Sequence, residues 1–548
     1  MATLAAGCAS IPAEMVLVDA TVYTGRKGAL ADAIAISDGH ITAVGTKADL
    51  LQRVDRQARV VSMPGTMVLP GFIDSHVHPV TGGVELGQCD LNEQGSLDGI
   101  ESTISRCASE DSGAWLVGGG WDLTLFEDAH PKAAQLDALV PERPAYLSAA
   151  DNHSAWVNTA ALQVAGIDAD TPDPPGGRIE RDASGVPTGT LRESAMALVE
   201  QHLPETTDAQ RRQGLRRALA MAHGFGITSV QEANATPEIL AAYVDLAEQG
   251  ALTARVVVAQ HIDPEQGPEQ LDALAALRDG ITVDPAWLRA TSIKIFADGV
   301  IESGTAALLE PYEGSESRGE LRMSPERLVA LVEAADRIGF DIHIHAIGDR
   351  GIRVSLDAFE AAIDHNPARD RRHMLAHVQL IDPTDLPRFA TLGVIANVQA
   401  LWAYPDPYIT EMTEPVLGPE RSRWLYPFRS LFASGALVVG GSDWSVSSMN
   451  PLRAIEVATT RHAIGGTGPA WIPQESVELE PMLAANTVAG AYANRREAIV
   501  GTLEVGKRAD LVVLERNLLE TPKSEIHAVG VQATLVEGRV VHGALEAG

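Results

Sequence analysis

The sequence predicts an α/β protein, a (β/α)8 barrel flanked by a small all-β unit built from both ends of the chain. Three observations carry this expectation. Apolar runs of strand length alternate with helical-looking stretches through the middle, the mark of βα units. The two ends instead read as short alternating strands joined by turns. Side chains able to bind metal fall at the ends of successive apolar runs, where barrel enzymes keep their chemistry.

At the N-terminus, Leu4-Ala5-Ala6-Gly7-Cys8 resembles the cleavage box of a bacterial lipoprotein signal. The basic and apolar regions of such a signal do not fit before Cys8. The run is either the remnant of a truncated signal, implying a periplasmic lipoprotein, or a chance run of small residues in a cytoplasmic protein. Residues 15–65 then give MVLVDATVYTG and AIAISDGHITAVG, with Asp38-Gly39 as a hairpin turn. The C-terminal stretch has the same texture, GTLEVGKRADLVVLERN and VGVQATLVEGRVVHG, with Glu537-Gly538 at the turn. The termini are therefore expected to pair into one sheet domain from residues 1–68 and 489–548. Residues 69–488 form the barrel.

The barrel begins at Pro70-Gly71-Phe72-Ile73-Asp74, an apolar strand leading into His76. Loop-rich residues 82–205, with several tryptophans, read as an insertion after this first strand. GITSVQEA, RVVVAQH, TSIKIFADG, DIHIHAIGD, MLAHVQ, VIANVQ and LVVGGSDW supply the later strands.

Composition narrows the partners. Lysine and arginine total 42 against 73 acidic residues, a formal charge of −31, which repels nucleic acid and anionic lipid. No apolar run reaches the ~18–20 residues that cross a bilayer. Three cysteines in 548 residues make no disulfide framework, and none lies in a CxxC pair that would hold zinc. A small-molecule substrate remains the expected partner, with homo-oligomerisation left open.

The chemistry sits in one constellation. His76 and His78 alternate, so their imidazoles share a face of an extended segment. Lys294 lies among apolar neighbours, where an ammonium costs several kcal/mol unless paired or neutralised. It is either a snorkelling or salt-bridged lysine, with Asp298 as the partner at hand, or a carbamate formed with CO2 and able to bridge two cations. His343 and His345 share a face, and alternation does not choose between them. His377 and Asp443 end two further strands. Imidazoles and a carboxylate with one bridging oxygen ligand suit Zn²⁺ first, with Mn, Fe or Co as alternatives.

PGFIDSHVH, IKIFADGV, HIHAIGD, LAHVQ and GSDW resemble the successive motifs of the amidohydrolase superfamily. Within it they are most similar to family 3, the YtcJ-like branch that includes N-substituted formamide deformylases. The resemblance implies a β-sandwich for the terminal unit. It also implies that His76 and His78 hold a buried metal, that carboxylated Lys294 bridges to a second metal bound by His345 and His377, and that Asp443 contacts metal and shuttles the proton. A histidine immediately before AIGD selects His345 over His343. The expected reaction is cleavage of a C–N amide or formamide bond by metal-bound hydroxide. The same site on an ester, lactone, carbamate or phosphotriester is the alternative, as is a mononuclear enzyme with Lys294 unmodified. A non-catalytic scaffold is disfavoured because all six ligand positions are kept.

The insertion is expected to shape the substrate pocket. Trp115, Trp121, Asp122 and Phe126 form one patch, and Asn152-His153-Ser154-Ala155-Trp156 a second, similar to a segment of the same branch. Tryptophans with few charges would suit an apolar or aromatic substrate, unless they cover the insertion's own core. His153 is read as a substrate contact or oxyanion donor. His130, His202, His223, His261, His365 and His373 are read as structural or surface residues.

Overall fold

The computed structural model describes residues 11–545 except 27, 93, 111 and 112. The Leu4–Cys8 segment therefore lies outside the described residues. The middle of the chain forms eight consecutive parallel strands, each neighbouring the next. They are β1 (Phe72–Val77), β2 (Ile227–Ala235), β3 (Arg255–His261), β4 (Leu288–Phe296), β5 (Asp341–Ala346), β6 (Met374–His377), β7 (Ile395–Val398) and β8 (Leu437–Gly440). They are apolar and largely buried, as expected of parallel strands covered by helices outside and packed side chains inside.

The last strand returns to the first through a few hydrogen bonds rather than a long ladder. Asp443 N donates to His76 O at 2.8 Å and His78 N to Trp444 O at 2.9 Å. Asp74 Oδ1 accepts from Ser442 N at 3.0 Å. The residues that close the barrel are thus those at the expected metal site.

Helix Asp208–Gly224 brings the chain back from the insertion to β2, and Thr207 with Gln210 forms a capping box at its start. It packs against helix Pro79–Glu85 at a point where neither backbone carries a side chain. A Cβ on Gly83 would sit 2.0 Å from Gly214 O, so only glycine permits this approach.

Both chain ends enter one eight-stranded sheet, as expected. Leu511–Leu514 pairs with Met67–Pro70, and Met67–Pro70 pairs with Met15–Tyr23. The apolar cluster of this unit draws Leu17, Ile34 and Ile36 from one end and Leu511, Val513 and Leu535 from the other. Both expected turns have positive φ at both central residues, Asp38 at +50° with Gly39 at +72°, and Glu537 at +48° with Gly538 at +70°. That is the twist a two-residue hairpin needs. Helix Val488–Ala493 packs on β8 and β1, so the C-terminal arm joins the terminal sheet only further on, first through a bridge between Arg508 and His40 and then along Leu511–Leu514.

The insertion follows β1 and helix Pro79–Glu85. It is a six-stranded sheet running from Cys89–Asp90 to Pro187–Glu193, with its own core. Trp121, Phe126 and Trp156 meet edge to face there, with ring centroids 5.2–6.5 Å apart. Trp115 lies in a neighbouring cluster. These aromatic residues cover the insertion's core, not the substrate space. Cysteine counting also needs correction, because Cys89 and Cys107 form a disulfide that ties a short strand to helix Leu97–Glu110.

Barrel and terminal sheet are joined by a fully buried ion pair. Arg255, at the start of β3, donates to both carboxylate oxygens of Asp510, at 2.6 and 3.0 Å. Removing Asp510 leaves the buried guanidinium with a single carboxylate contact, to Glu537 at 3.3 Å, so Asp510→Ala is expected to cost about 3–5 kcal/mol in urea unfolding. The double change Arg255→Met with Asp510→Leu should recover most of it. A loss as large in the double variant would show that charge balance is not what the pair supplies.

Candidate metal centre

β1 delivers His76 and His78 to one side of the barrel mouth, their rings 5.5 Å apart. Asp443 reaches across the seam, with Oδ1 3.2 Å from His76 Nε2 and 3.1 Å from His78 Nε2. One donor atom from each of the three lies within 4.8 Å of the others. Lys294, 1% exposed on β4, holds Nζ 3.4 Å from His76 Nε2. His377, at the end of β6, has Nδ1 3.9 Å from Asp443 Oδ2, and its ring lies 4.5 Å from that of His345 on β5. The backbone is left-handed at His377 (φ +77°) and Asp443 (φ +54°), a strained conformation concentrated where these side chains turn inward.

The second ring nitrogen of each histidine explains how the first is aimed. His345 Nε2 donates to the carbonyl of Gly299 at 3.1 Å, leaving Nδ1. His76 Nδ1 meets His343 Nε2 at 2.9 Å, leaving Nε2. His343 therefore sits one layer deeper as a support for His76, and His345 lines the mouth. His78 Nδ1 faces buried Glu232 at 3.5 Å. His377 is held by a relay that begins at the backbone. Asn397 Nδ2 donates to Ser75 O (2.7 Å), Gln399 Nε2 donates to Asn397 Oδ1 (3.1 Å), and Gln399 Oε1 accepts from His377 Nδ1 (2.9 Å). A carbonyl only accepts, so each amide's orientation follows, and His377 is left with Nε2. Asn397 and Gln399 were not singled out from the sequence, although two amides at i and i+2 of an apolar strand, in VIANVQ, are the signal.

Burial and charge set the protonation states. Burial, then the neighbouring Lys294, pushes His76 down to about 3. Burial drives His345 and His377 well below the usual imidazole range. Burial opposes a charged His78, yet its bonds to Asp443 and Glu232 hold it up at about 9. Burial brings Lys294 down to about 8. Asp298 does not pair with it, and instead accepts from the backbone N–H groups of Ala307, Ile347 and Gly348.

His153 lines the same cavity, its ring 6.2 Å from that of His345. Glu193 fixes it from behind, with Oε2 3.0 Å from Nδ1, and is itself held by Thr305 and Arg322. The remaining histidines have other partners, such as Glu180 for His130, Thr253 for His223, Asn234 for His261 and Glu333 for His365. His373 accepts from Ile342 N, and His202 is exposed. Trp402 stacks on His377, at 5.6 Å and 10° between planes, and so supplies an aromatic surface that the insertion's tryptophans do not.

The model of the amidohydrolase family matches residues 59–542. The chain belongs to that family. It is 32% identical to the Arabidopsis thaliana protein LONG AFTER FAR-RED 3, over 97% of this chain and 92% of that one. It is 28% identical to an N-substituted formamide deformylase of Arthrobacter pascens, over 96% and 97%. Its fold matches the crystal structure of an uncharacterized metal-dependent hydrolase of Pyrococcus furiosus, with a TM-score of 0.71 and 25% identity over 92% of this chain and 100% of that one.

The relay to His377 makes a direct prediction. Gln399→Met removes the acceptor at Nδ1 and should weaken divalent-metal affinity by roughly 10–100-fold, read by competition with a chromophoric chelator. Unchanged affinity would mean that the relay does not orient His377.

Proposed function

We propose that this protein is a metal-dependent hydrolase that cleaves the C–N bond of an amide or formamide carried on a small substrate with an aromatic group. The observation that supports it most strongly is the paired use of ring nitrogens. His76, His345 and His377 each spend one nitrogen on a protein partner, which leaves a neutral, buried nitrogen facing the mouth. Neutral imidazoles so arranged are what divalent metals bind.

His76 and His78 would hold one cation, His345 and His377 the other, with Asp443 as a further ligand. Lys294 fits a bridging carbamate. Its amine is buried, no carboxylate among the described residues lies in ion-pair range of it, and its lowered pKa eases the loss of the proton that CO2 addition requires. Two bound cations, Zn²⁺ in the first instance, would acidify water to a pKa near 7 and polarise the substrate carbonyl.

The chain's own groups then manage the protons. The imidazoles of His76 and His78 together keep Asp443 well below the usual carboxylate range against the cost of burial, so it is ionised. It takes a proton from the attacking water and passes it to the departing nitrogen, which cannot leave unprotonated. Glu193 raises His153 against the effect of burial and holds its Nδ1, which leaves Nε2 for the substrate oxygen. The similarity to a formamide deformylase favours formamides within the amide class. The Cys89–Cys107 disulfide favours an oxidising compartment, the periplasmic of the two placements raised by the sequence.

Protein purified without chelator should carry two divalent ions per chain and turn over a formamide within a panel that also holds N-acyl amino acids, aryl esters and phosphotriesters. Asp443→Asn should retain most of the metal while kcat falls by about 10²–10⁴-fold. Full kcat in that variant would reject the shuttle. A metal-free protein that gains no activity with Zn²⁺ or Mn²⁺ would reject the reading as a whole.

A further inference from the structure

Above the histidine cluster lies a cavity of about 900 Å³, at the large end of small-molecule sites. Six carboxylates outside the metal cluster line it; Glu85 and Glu200 each accept from a hydroxyl, of Ser445 and Tyr146, and the other four lie nearer Tyr408. Asp122 and Asp151 come from the insertion, Glu302 from the loop after β4, and Asp406 from the loop after β7. They meet around Tyr408, whose hydroxyl lies 3.2 Å from Leu123 N, next to Asp122, and whose carbonyl shares the reach of Thr413 Oγ1 with Glu302. Burial, then Glu302 and Asp122, raises Asp406 to about 6. Burial also raises Asp151, against the pull of His153 and Arg192, and Glu302 adds to the rise. The Tyr408 phenol, raised by burial, feels Asp151, Asp122 and Glu302 together.

The partners of these carboxylates are neutral donors. Asp122 accepts from Thr124 N and Oγ1 (2.8 and 2.7 Å), and Asp151 from His153 N (2.9 Å). Glu302 accepts from Gln379 Nε2 (3.2 Å) and Thr413 Oγ1 (2.5 Å), and Asp406 from Ile409 N (2.9 Å). No lysine or arginine among the described residues is ion-paired with any of the four. Of the basic groups nearby, His153 is bound by Glu193 and Arg192 by Glu180, and Arg453 has a partner as well. Like charges gathered in a partly desolvated wall repel one another, a cost that an incoming cation would remove.

The aromatic lining points the same way. Trp402, Tyr404 and Tyr408 line this side of the cavity, and ring faces attract cations. A bare divalent ion fits poorly, because the donor cluster that lies within metal-binding distance among the described residues is His76–His78–Asp443 and not these four. The space suits a larger organic cation. The formal charge of −31 would draw such a cation inward.

We propose that the substrate's non-reacting end carries a positive charge, as a protonated amine or amidine, and is seated between Asp122, Asp151, Glu302 and Asp406 and the aromatic wall. The proposal rests on the reading of this cavity as the active site. The test compares binding of benzylammonium and benzyl alcohol to the metal-loaded protein by calorimetry, in low and high salt. The cation should bind roughly tenfold tighter at low salt. Glu302→Gln and Asp406→Asn should each lower that ratio, with benzyl alcohol reporting in the same variant whether the pocket is intact. Equal binding of the two probes overturns the proposal. So does a preference that survives both substitutions, which would put the cation elsewhere on an acidic surface. Displacement of benzylammonium by micromolar Ca²⁺ would make the carboxylates a metal site and also overturn it. Formamide turnover separates the two readings. Cation binding through Glu302 without hydrolysis of the panel keeps the pocket and rejects the hydrolase. Hydrolysis of neutral formamides with no preference for their amine-bearing analogues does the reverse.

Discussion

Where the last barrel strand returns to the first, Asp443 donates its backbone N–H to His76 while its carboxylate reaches the imidazoles of His76 and His78. The main-chain bond sets how near the two strand ends come, and that spacing lets one carboxylate oxygen stand about equally far from both rings. Close packing enforces it. A Cβ on Gly441 would lie 2.6 Å from His76 Cβ and 2.6 Å from Asn397 Oδ1, so the strand end has no room for a side chain. Closure of the barrel and convergence of its donors are one event.

The second constraint is the fixing of imidazole tautomers. A buried histidine can present either nitrogen, and at this mouth the choice is made by groups that accept or are themselves oriented by an acceptor. For His345 it is a backbone carbonyl, and for His377 a pair of amides anchored on Ser75 O. The anchor lies between Asp74 and His76, so an element at one side of the seam orients a ring on β6. Such long-range support suits parallel sheets, whose strands stand side by side though far apart in sequence.

Much of this was legible in the sequence. Alternation placed His76 with His78, and the apolar runs ending in Lys294, His377 and Asp443 marked strand ends at one face of a barrel. The positive-φ hairpins at Asp38-Gly39 and Glu537-Gly538 follow from local chemistry alone. Alternation could not separate His343 from His345, because both point inward and differ only in depth. The tryptophans of the insertion were ambiguous for a related reason, since a large aromatic fills a core or lines a pocket equally well and only tertiary packing decides. Pairing Cys89 with Cys107 needed a contact between a short strand and a helix that no spacing rule gives. The carboxylates around Tyr408 are spread along the chain from Asp122 to Asp406, and nothing local announces that they meet.

The insertion has a consequence of another kind. Asp122, Asp151 and His153 belong to a subdomain with its own sheet, aromatic core and disulfide, whereas the donors below them belong to the barrel. The insertion's share of the proposed wall and the donors beneath it are therefore carried by different sheets, while Glu302 and Asp406 complete the wall from barrel loops. Substitutions in the insertion's part of the wall leave in place the strand ends that aim the rings, so what the cavity admits can change while the proposed metal centre stands. A protein divided in this way is easy to repurpose.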